Sequence, residues 1–317
     1  MGKFLTIGEP LYGMASLEDD VSLENAQKFK RYLAGAEVNC AKGMSRLKFD
    51  TDYVSRLGND VFSKYIVQEL AKDNISTKYV SYSDTENTAF QLKSKVTKGD
   101  PVFGYLRKNS AGANFKMECL DDIDYTDVSL IHVTGVFSSV SQNSYNCVNY
   151  LMKIGKLHKS LISFDPNLRP QLWESKEKMI KSINRLAFNS DIFLPGLKEG
   201  QILTGLTTPK EIADFYLSEG VGTVVIKLGP QGAYVKNKDL SSTIPGFKVD
   251  HVVDTVGAGD GFAVGVLSGI MKGLEWKDIV TRGTAIGALA VTVSGDSEGY
   301  PTEEELQAFI KNTERCK

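Results

Sequence analysis

Short apolar runs alternate with helix-like patterns along most of the chain, and this alternation constrains the fold more than any other feature. Strands that alternate with amphipathic helices predict βαβ units and a mostly parallel sheet. The predicted strands cover residues 4–8, 51–57, 130–134, 161–164, 191–194, 223–227 and 233–236. The predicted helices cover residues 38–47, 61–72, 144–154, 259–272 and 276–292.

Two segments interrupt the alternation, at approximately residues 9–34 and 84–112. The second contains alternating polar and apolar residues at 88–96 and 102–108, a pattern that predicts antiparallel strands. A small sheet projecting from an α/β core would suit a lid over a site, and the alternative is an ordinary extension of the sheet edge. The sequence has no internal repeat and no low-complexity linker, so we predict one domain over residues 1–317.

Composition excludes several classes of partner. The chain has 37 basic and 39 acidic residues without a basic block, so we expect neither nucleic acid nor a membrane surface as a partner. No segment reaches the apolar length of a membrane span, and the first residues are too polar for a signal peptide. The four cysteines are scattered without CxxC pairing, which is typical of reduced thiols and indicates a cytoplasmic location.

The segment 254–265, with the sequence DTVGAGDGFAVG, carries the strongest chemical signal. The turn formed by Gly257, Ala258 and Gly259 lets backbone N–H groups approach a ligand closely. A helix start adds unpaired donors and a partial positive charge, which suits a transferring phosphoryl group. Asp260 would accept the proton of an attacking hydroxyl beside that anion site. The alternative is an ordinary helix N-cap.

This segment resembles the C-terminal signature of the PfkB, or ribokinase-like, sugar kinases. The resemblance implies a ribokinase-like three-layer α/β/α core with a small β-sheet lid. It implies ATP as phosphoryl donor, Mg²⁺ and room for a monovalent cation, with Thr255, Gly257 and Gly259 at the nucleotide. It also implies a homo-oligomer, either a dimer through the lid or a higher assembly. We expect the anion site to favour the ionised form of Asp260, so that the base is ready at neutral pH.

The segment 34–39, AGAEVN, opens the first long predicted helix. Gly35 allows close approach of a ligand, and Asn39 offers a donor and an acceptor to hydroxyl groups. Taken by itself, the segment is typical of a plain helix start with a cap-like asparagine. It resembles the N-terminal PfkB signature, with Ala34 in place of the first glycine, and the variant found in 2-keto-3-deoxygluconate (KDG) kinases. That resemblance implies substrate contacts at Gly35, Ala36, Glu37 and Asn39.

The segment 105–112, YLRKNSAG, ends the second lid region. The planar guanidinium of Arg107 matches a carboxylate in a bidentate manner, which a lysine does not. A solvated turn is the alternative. The segment resembles the RKxSAG stretch of KDG kinases, whose substrate is a sugar acid, and implies that Tyr105 and Arg107 bind it. Gln91 and Leu106 stand where those kinases often have tyrosines, and we assign Gln91 to the substrate pocket.

Two further segments contribute candidate polar residues. Asp165, Asn167 and Arg169 follow a predicted strand, and polar residues at that end of a parallel strand face the ligand crevice. They resemble the DxNxR motif of fructokinases and KDG kinases, which implies that Asn167 contacts both ligands. It also implies that Arg169 lies near the phosphates or the sugar acid and supplies positive charge to the transition state. Asp296 lies in a segment similar to the GDxEG of KDG kinases, which implies a substrate contact. The alternatives are a strand-to-helix turn and a polar loop.

The remaining candidates concern the nucleotide and its metal. Glu199 resembles the acid of the NxxE motif that arranges Mg²⁺ in the family, although Gly196 takes the place of its asparagine. Lys227, Gly229 and Gly232 form a turn between two predicted strands that resembles the family's KxGxxG turn near the nucleotide. A plain surface glutamate and an ordinary hairpin are the alternatives.

These residues together predict an ATP-dependent kinase that phosphorylates the 6-hydroxyl of KDG, a small-molecule sugar acid. A fructokinase or another neutral-sugar kinase is the first alternative, because 165–169 fits fructokinases equally well. A non-catalytic regulator that binds sugar and nucleotide is the second alternative. The three histidines are isolated from potential partners in the sequence, so hydrolase and zinc chemistry have no support.

Overall fold

A computed structural model describes residues 2–99 and 101–316, and positions 1, 100 and 317 of the predicted domain lie outside the described residues. The predicted alternation of strands and helices is confirmed over these ranges. The strands are β1 (Lys3–Ile7), β2 (Leu11–Asp19), β3 (Phe29–Ala34), β4 (Thr51–Gly58), β5 (Ser76–Ser83), β6 (Phe90–Lys95), β7 (Phe103–Leu106), β8 (Val128–Thr134), β9 (Leu161–Asp165), β10 (Ile192–Phe193), β11 (Thr223–Lys227), β12 (Ala233–Lys236) and β13 (Ser241–Ile244). The helices are α1 (Ala36–Arg46), α2 (Val61–Lys72), α3 (Gly135–Ser138), α4 (Gln142–Leu157), α5 (Lys176–Ala187), α6 (Leu197–Thr204), α7 (Pro209–Ser218), α8 (Ala258–Met271), α9 (Trp276–Ala290) and α10 (Glu303–Asn312).

The larger sheet is mostly parallel, as predicted. Its order over the described residues is β13-β12-β11-β10-β9-β8-β1-β4-β5. Along this order, each strand from β11 at one side to β5 at the edge pairs in parallel with its neighbour. Strands β12 and β13 extend the sheet beyond β11 by antiparallel pairing. Because β4 and β8 flank β1, the strand order reverses at β1. Open α/β sheets bind ligands at the carboxyl edge beside such a reversal.

Alternate side chains of the central strands enter two separate apolar cores, one on each face of the sheet. In β1, Phe4 belongs to one core, whereas Leu5 and Ile7 belong to the other. Leu130 and Ile131 of β8 divide in the same way. Successive side chains of a strand point to opposite faces, so α4 and α5 cover one face while α8 and α9 cover the other. The predicted three-layer core is confirmed.

The two predicted lid segments form a second sheet in the order β3-β2-β6-β7. The predicted antiparallel pairing is confirmed for β2 with β3 and for β6 with β7. Strands β2 and β6, however, pair in parallel with each other. They follow β1 and β5, two parallel strands that leave the main sheet at its carboxyl edge. The small sheet therefore starts at the edge where a ligand crevice is expected.

Several elements were not predicted, namely β5, β13, α3, α5, α6, α7 and α10. Strand β5 is the edge of the main sheet, and most of its side chains are half-exposed. An edge strand needs no continuous apolar run, so its sequence carries little signal. Among the described helices, none combines the length and apolar character that crossing a membrane requires. All four cysteines are unpaired.

The last glycine of the 254–265 segment has a packing role. An added Cβ at Gly265 would lie 2.4 Å from the Arg282 carbonyl oxygen and 2.5 Å from the Gly283 Cα, so α8 and α9 approach each other here through backbone atoms. Gly287 also lies in α9, but a Cβ there would meet its nearest atom at 3.4 Å, an ordinary contact.

We therefore expect Gly265→Ala to lower the free energy of unfolding by about 1–3 kcal/mol, because the two helices must separate. Gly287→Ala is the matched control and should be neutral or slightly stabilising, since alanine favours helix over glycine. Urea denaturation of both variants measures the difference. Equal stabilities would show that the helix contact is more adaptable than this geometry indicates.

Candidate active site

Helix α8 begins without a capping side chain. Gly257 is its N-cap residue, with a left-handed φ of 77°, and an added Cβ there would lie 1.7 Å from the carbonyl oxygen of Asp296. Only glycine fits both constraints. The N–H groups of Gly259 and Asp260 donate to no protein group within the described part of the chain. The helix start thus presents free donors, as an anion site requires.

The Asp260 carboxylate joins three distant segments of the sequence. Its Oδ2 accepts a hydrogen bond of 2.9 Å from Asn39 Nδ2, and its Oδ1 accepts one of 3.3 Å from Asn167 Nδ2. Asn39 comes from α1, and Asn167 follows β9 with a left-handed φ of 35°. The predicted base and two predicted substrate residues therefore meet at the carboxyl edge of the sheet.

The expectation that the anion site favours the ionised form of Asp260 is wrong for this chain by itself, because burial favours the protonated form. Burial raises the pKa of the Asp260 carboxyl to about 7. The hydrogen bond from Asn39 lowers this pKa, the nearby Asp165 carboxylate raises it, and Lys227 lowers it. Desolvation of the carboxylate outweighs the favourable contacts, which the sequence-based reasoning underestimated.

Lys227 lies beside the helix start as a buried ion pair. Its Nζ is 2.6 Å from Asp165 Oδ2, and Asp165 Oδ1 accepts a hydrogen bond of 3.0 Å from Asn167 N–H. An added Cβ at Gly259 would have only Lys227 Nζ nearby, at 3.8 Å. Burial lowers the pKa of Lys227, but the carboxylates of Asp165 and Glu199 raise this pKa by more than burial lowers it, so the ammonium stays charged.

The two glycines of the turn after β11 differ in their surroundings. Gly229 has a φ of 60° and open space where a Cβ would lie. Gly232 has a φ of 101°, and its Cβ position is 2.0 Å from the Ile244 carbonyl oxygen. The turn therefore leaves room for a ligand at Gly229, whereas Gly232 is required by packing against β13. Thr255 is exposed, and its carbonyl accepts a hydrogen bond of 3.4 Å from Ala258 N–H.

The start of α1 supplies one free acceptor. Gly35 is the N-cap residue, with a φ of 138°. Asn39 Oδ1 is buried and has no hydrogen-bond partner among the described residues, so it is free to accept from a ligand hydroxyl. Glu37, in contrast, is buried and accepts a hydrogen bond from Thr134 Oγ1, and burial raises its pKa to about 7. The Glu37 side chain therefore lies in the interior of the protein and not in an open pocket. Ala36 occupies the first position of α1.

Arg107 is already bound on one edge of its guanidinium. Its Nε and Nη2 lie 2.8 Å and 2.6 Å from Glu9 Oε2, and the other Glu9 oxygen accepts from Ser110 Oγ. Its Nη1 has no protein partner over residues 2–99 and 101–316. The guanidinium carbon lies 5.8 Å from the centre of the Tyr105 ring. Sequence reasoning missed Glu9, because nothing local connects residues so far apart.

Tyr105 lies among the remaining charged candidates. Burial raises its pKa, the cations of Arg107 and Arg169 lower it, and Asp296 raises it. Arg169 is exposed, and its Nη1 donates to the Leu168 carbonyl oxygen at 2.9 Å. The charges of Arg107, Arg169 and Asp296 therefore all act on the Tyr105 phenol.

Gln91 and Lys93 extend from β6 of the lid. Gln91 is buried, and its Nε2 donates to Tyr32 Oη at 2.5 Å. Lys93 Nζ lies 3.4 Å from Asp254 Oδ2 and 3.6 Å from Asp296 Oδ1. Lys93 was not predicted, although side chains two residues apart on a strand share a face, so its spacing from Gln91 was a usable signal.

Glu199 has a structural role in this conformation. Its Oε1 accepts from Leu168 N–H at 2.8 Å, and its Oε2 accepts from the N–H of Gly196, the N-cap residue of α6, at 2.7 Å. It thereby fixes the loop that carries Asn167. Within the described ranges no cluster of three or more His, Cys, Asp or Glu residues is arranged to hold a metal ion.

Comparison with known proteins identifies the family of this chain. Residues 1–303 match the family described as pfkB family carbohydrate kinase. The 2-dehydro-3-deoxygluconokinase of Bacillus subtilis (strain 168) is 44% identical over 311 residues, which cover 96% of this chain and 94% of that protein. Fructokinase-1 of Zea mays is 29% identical over 97% of each protein.

The fold has a solved counterpart. A crystal structure from E. coli, described as a ribokinase II in complex with ATP and Mg²⁺, superposes with a TM-score of 0.89 at 27% identity and covers 98% of this chain and 99% of that one. The predicted ribokinase-like fold is confirmed. With a family match over nearly the whole sequence and a full-length relative at 44% identity, this chain belongs to the pfkB family of carbohydrate kinases.

Proposed function

We propose that this protein transfers the γ-phosphoryl group of ATP to the 6-hydroxyl of KDG. The observation that carries the chemistry is the Asp260 carboxylate, held by two asparagine amides at the uncapped start of α8. The acceptor assignment is supported by the 44% identity to a 2-dehydro-3-deoxygluconokinase and by Arg107, a cation suited to a sugar acid.

In this proposal Asp260 removes the proton of the attacking hydroxyl, and Asn39 Oδ1 accepts a second hydroxyl of the sugar. The N–H groups of Gly257 and Gly259 donate to the phosphoryl oxygens as their charge redistributes, and that of Ala258 joins them by giving up its 3.4 Å hydrogen bond to the Thr255 carbonyl oxygen. Asn167 holds Asp260 from the side opposite Asn39, so the base keeps one orientation. The lid excludes water, which would otherwise compete as acceptor.

The residues present fit a nucleotide that brings its own metal ion. Mg²⁺ in kinases keeps several waters and is held by substrate phosphates with one or two carboxylates, rather than by an all-protein cage. When bound, it neutralises charge on the phosphates. We propose Glu199 as the carboxylate that orients its water shell, while Lys227, Gly229, Gly232, Thr255 and Arg169 line the nucleotide side. A monovalent cation near the nucleotide loop stays a prediction.

The sugar acid is assigned to the side of the pocket lined by the lid. The free Nη1 edge of Arg107 offers a charge-assisted donor to the substrate carboxylate, and Tyr105, Gln91 and Asp296 are assigned to its hydroxyl groups. A fructokinase is the competing candidate, supported by the motif at 165–169. A binding protein without activity is disfavoured, since the predicted base and the helix start are both intact.

We further propose a cytoplasmic location and a homo-oligomer that associates through the lid. Unpaired cysteines support the first proposal. The second is supported by exposed apolar side chains on the lid, where Leu106 is 74% and Val102 is 63% exposed. Light scattering of the purified protein reports the oligomeric state directly.

A substrate panel tests the acceptor. We expect the kcat/KM with ATP to be highest for KDG among KDG, fructose, ribose and adenosine, because only KDG brings a carboxylate to Arg107. Coupled measurement of ADP release provides the comparison. A higher kcat/KM for fructose would replace the KDG assignment with the fructokinase alternative. Binding of KDG and ATP without any turnover would support the non-catalytic regulator.

Replacement of Arg107 tests recognition of the carboxylate. We expect Arg107→Met to raise the KM for KDG by about 10- to 100-fold, the effect of losing one charged hydrogen bond, with a much smaller effect on a neutral sugar. The adjacent exposed Lys108 gives the matched control, and Lys108→Met should leave both KM values unchanged. Because Arg107→Met leaves Glu9 buried without its cation, the double variant with Glu9→Gln separates a folding defect from a binding defect. Equal KM changes for acid and neutral sugars would remove Arg107 from carboxylate recognition.

The pH profile tests the base. With a pKa of about 7 for Asp260, we expect kcat/KM to fall below about pH 7, since the protonated carboxyl cannot accept the hydroxyl proton. Asp260→Asn should reduce kcat by at least about 100-fold at every pH while ATP binding, followed by calorimetry, stays largely intact. A wild-type profile that stays flat down to pH 5 would contradict the role of Asp260 as base.

A further inference from the structure

Lys93 belongs to the lid, but its ammonium group pairs with carboxylates outside the lid. Its Nζ is 3.4 Å from Asp254 Oδ2 and 3.6 Å from Asp296 Oδ1, and its side chain is only 12% exposed. One carboxylate belongs to the loop before α8 and the other to the loop after α9. Among the described residues, these are the ion pairs that join the small sheet to the loops around the start of α8.

The two aspartates fix the backbone of the helix start. Asp254 Oδ1 accepts a hydrogen bond of 3.0 Å from Val256 N–H, which shapes the turn directly before Gly257. The carbonyl oxygen of Asp296 occupies the space in which a Cβ on Gly257 would lie. A shift of either aspartate therefore moves the amides that face the phosphoryl group.

Charge balance gives Lys93 a second effect. The site must accept the triphosphate of ATP, yet Asp254 and Asp296 are two carboxylates beside it. Lys93 is the cation that lies within 4 Å of both. Without it, both carboxylates would repel an incoming anion at short range in a partly buried environment, where screening is weak.

Asp296 itself depends on this neighbour. Burial raises its pKa to about 6, Lys93 lowers it, and Glu298 and Asp254 raise it. The phenol groups of Tyr32 and Tyr105 also face this carboxylate. Lys93 is therefore the neighbouring cation that partly offsets the cost of burying the Asp296 carboxylate.

We propose that Lys93 is a positioning residue that couples the lid to the anion site. Its ammonium, placed by β6 between Asp254 and Asp296, holds the loops around Gly257 and cancels their negative charge when the lid covers the pocket. This inference deepens the proposed function and rests on its assignment of the α8 start to ATP. It does not depend on which sugar is the acceptor.

The same strand supplies a matched control. Lys95 lies two residues further along β6 and pairs with Asp19 inside the lid at 2.8 Å, with both side chains about half exposed. Lys95→Met therefore removes a lysine and an ion pair from the lid without touching the loops around α8. Lys93→Arg keeps the charge and tests whether the cation itself is responsible.

We expect Lys93→Met to weaken ATP binding by about tenfold or more at low salt, and most of the difference should persist at higher ionic strength because salt screens partly buried charges only weakly. Its KM for the acceptor should rise, and hydrogen exchange of the backbone amides at 255–260 should accelerate. Lys95→Met should match the wild type in all three measurements, and Lys93→Arg should recover most of the affinity. Calorimetry and hydrogen exchange do not require turnover, so they report on Lys93 even if the acceptor assignment fails.

The inference is overturned if Lys93→Met binds ATP within twofold of the wild type and leaves exchange at 255–260 unchanged. A drop in melting temperature alone, with ATP affinity and exchange preserved, would also overturn it, because it would limit Lys93 to a structural role. Absence of wild-type turnover on every sugar, by contrast, would reject the proposed function and leave the binding test of Lys93 valid.

Discussion

The structure depends on one buried carboxylate at the start of one helix. Asp260 is held by Asn39 and Asn167, which lie 221 and 93 residues away in the sequence. These three side chains meet because parallel strands end at a common edge of the sheet. The strand order reverses at β1, and there α1 lies beside α8. Without these amides the carboxylate would lose both hydrogen bonds that offset its desolvation, at a place that the proposed function requires to admit a phosphoryl group.

The glycines around α8 follow from the same constraint. A helix start that faces a ligand cannot be covered by its own capping side chain, so it must be fixed from behind. Gly257 permits the Asp296 backbone to lie against it, and Gly265 permits α9 to lie against the helix about two turns further on. The segment 254–265 thus combines chemistry at its beginning with helix packing at its end, which explains why so many small residues occur together.

Sequence reasoning was strongest where a signal is local. Strands such as β8 and β11 are buried on both faces and read directly as apolar runs, whereas the edge strand β5 and the short β13 carry no such run. Asp260, Asn39 and Asn167 were predicted from motifs and do converge. The pairing of Arg107 with Glu9, the cap formed by Glu199 and the bridge from Lys93 depend on partners far away in sequence. The pKa of Asp260 was misjudged for a related reason, since burial is a property of the assembled fold.

The charges around the pocket explain why Asp260, rather than another acid, is suited to proton transfer. Glu9 is paired with Arg107, Asp165 with Lys227, and Asp254 and Asp296 share Lys93. Each pairing places a cation against a carboxylate and offsets its charge, so these acids do not strongly repel an anionic ligand. Over the described residues, Asp260 makes no ion pair closer than 4 Å, and amide hydrogen bonds alone offset its burial only in part. Glu37 shares this condition, but Thr134 holds it in the interior. In the proposed reaction, Asp260 is therefore the acid at the helix start that is assigned to take up and release the proton of the attacking hydroxyl.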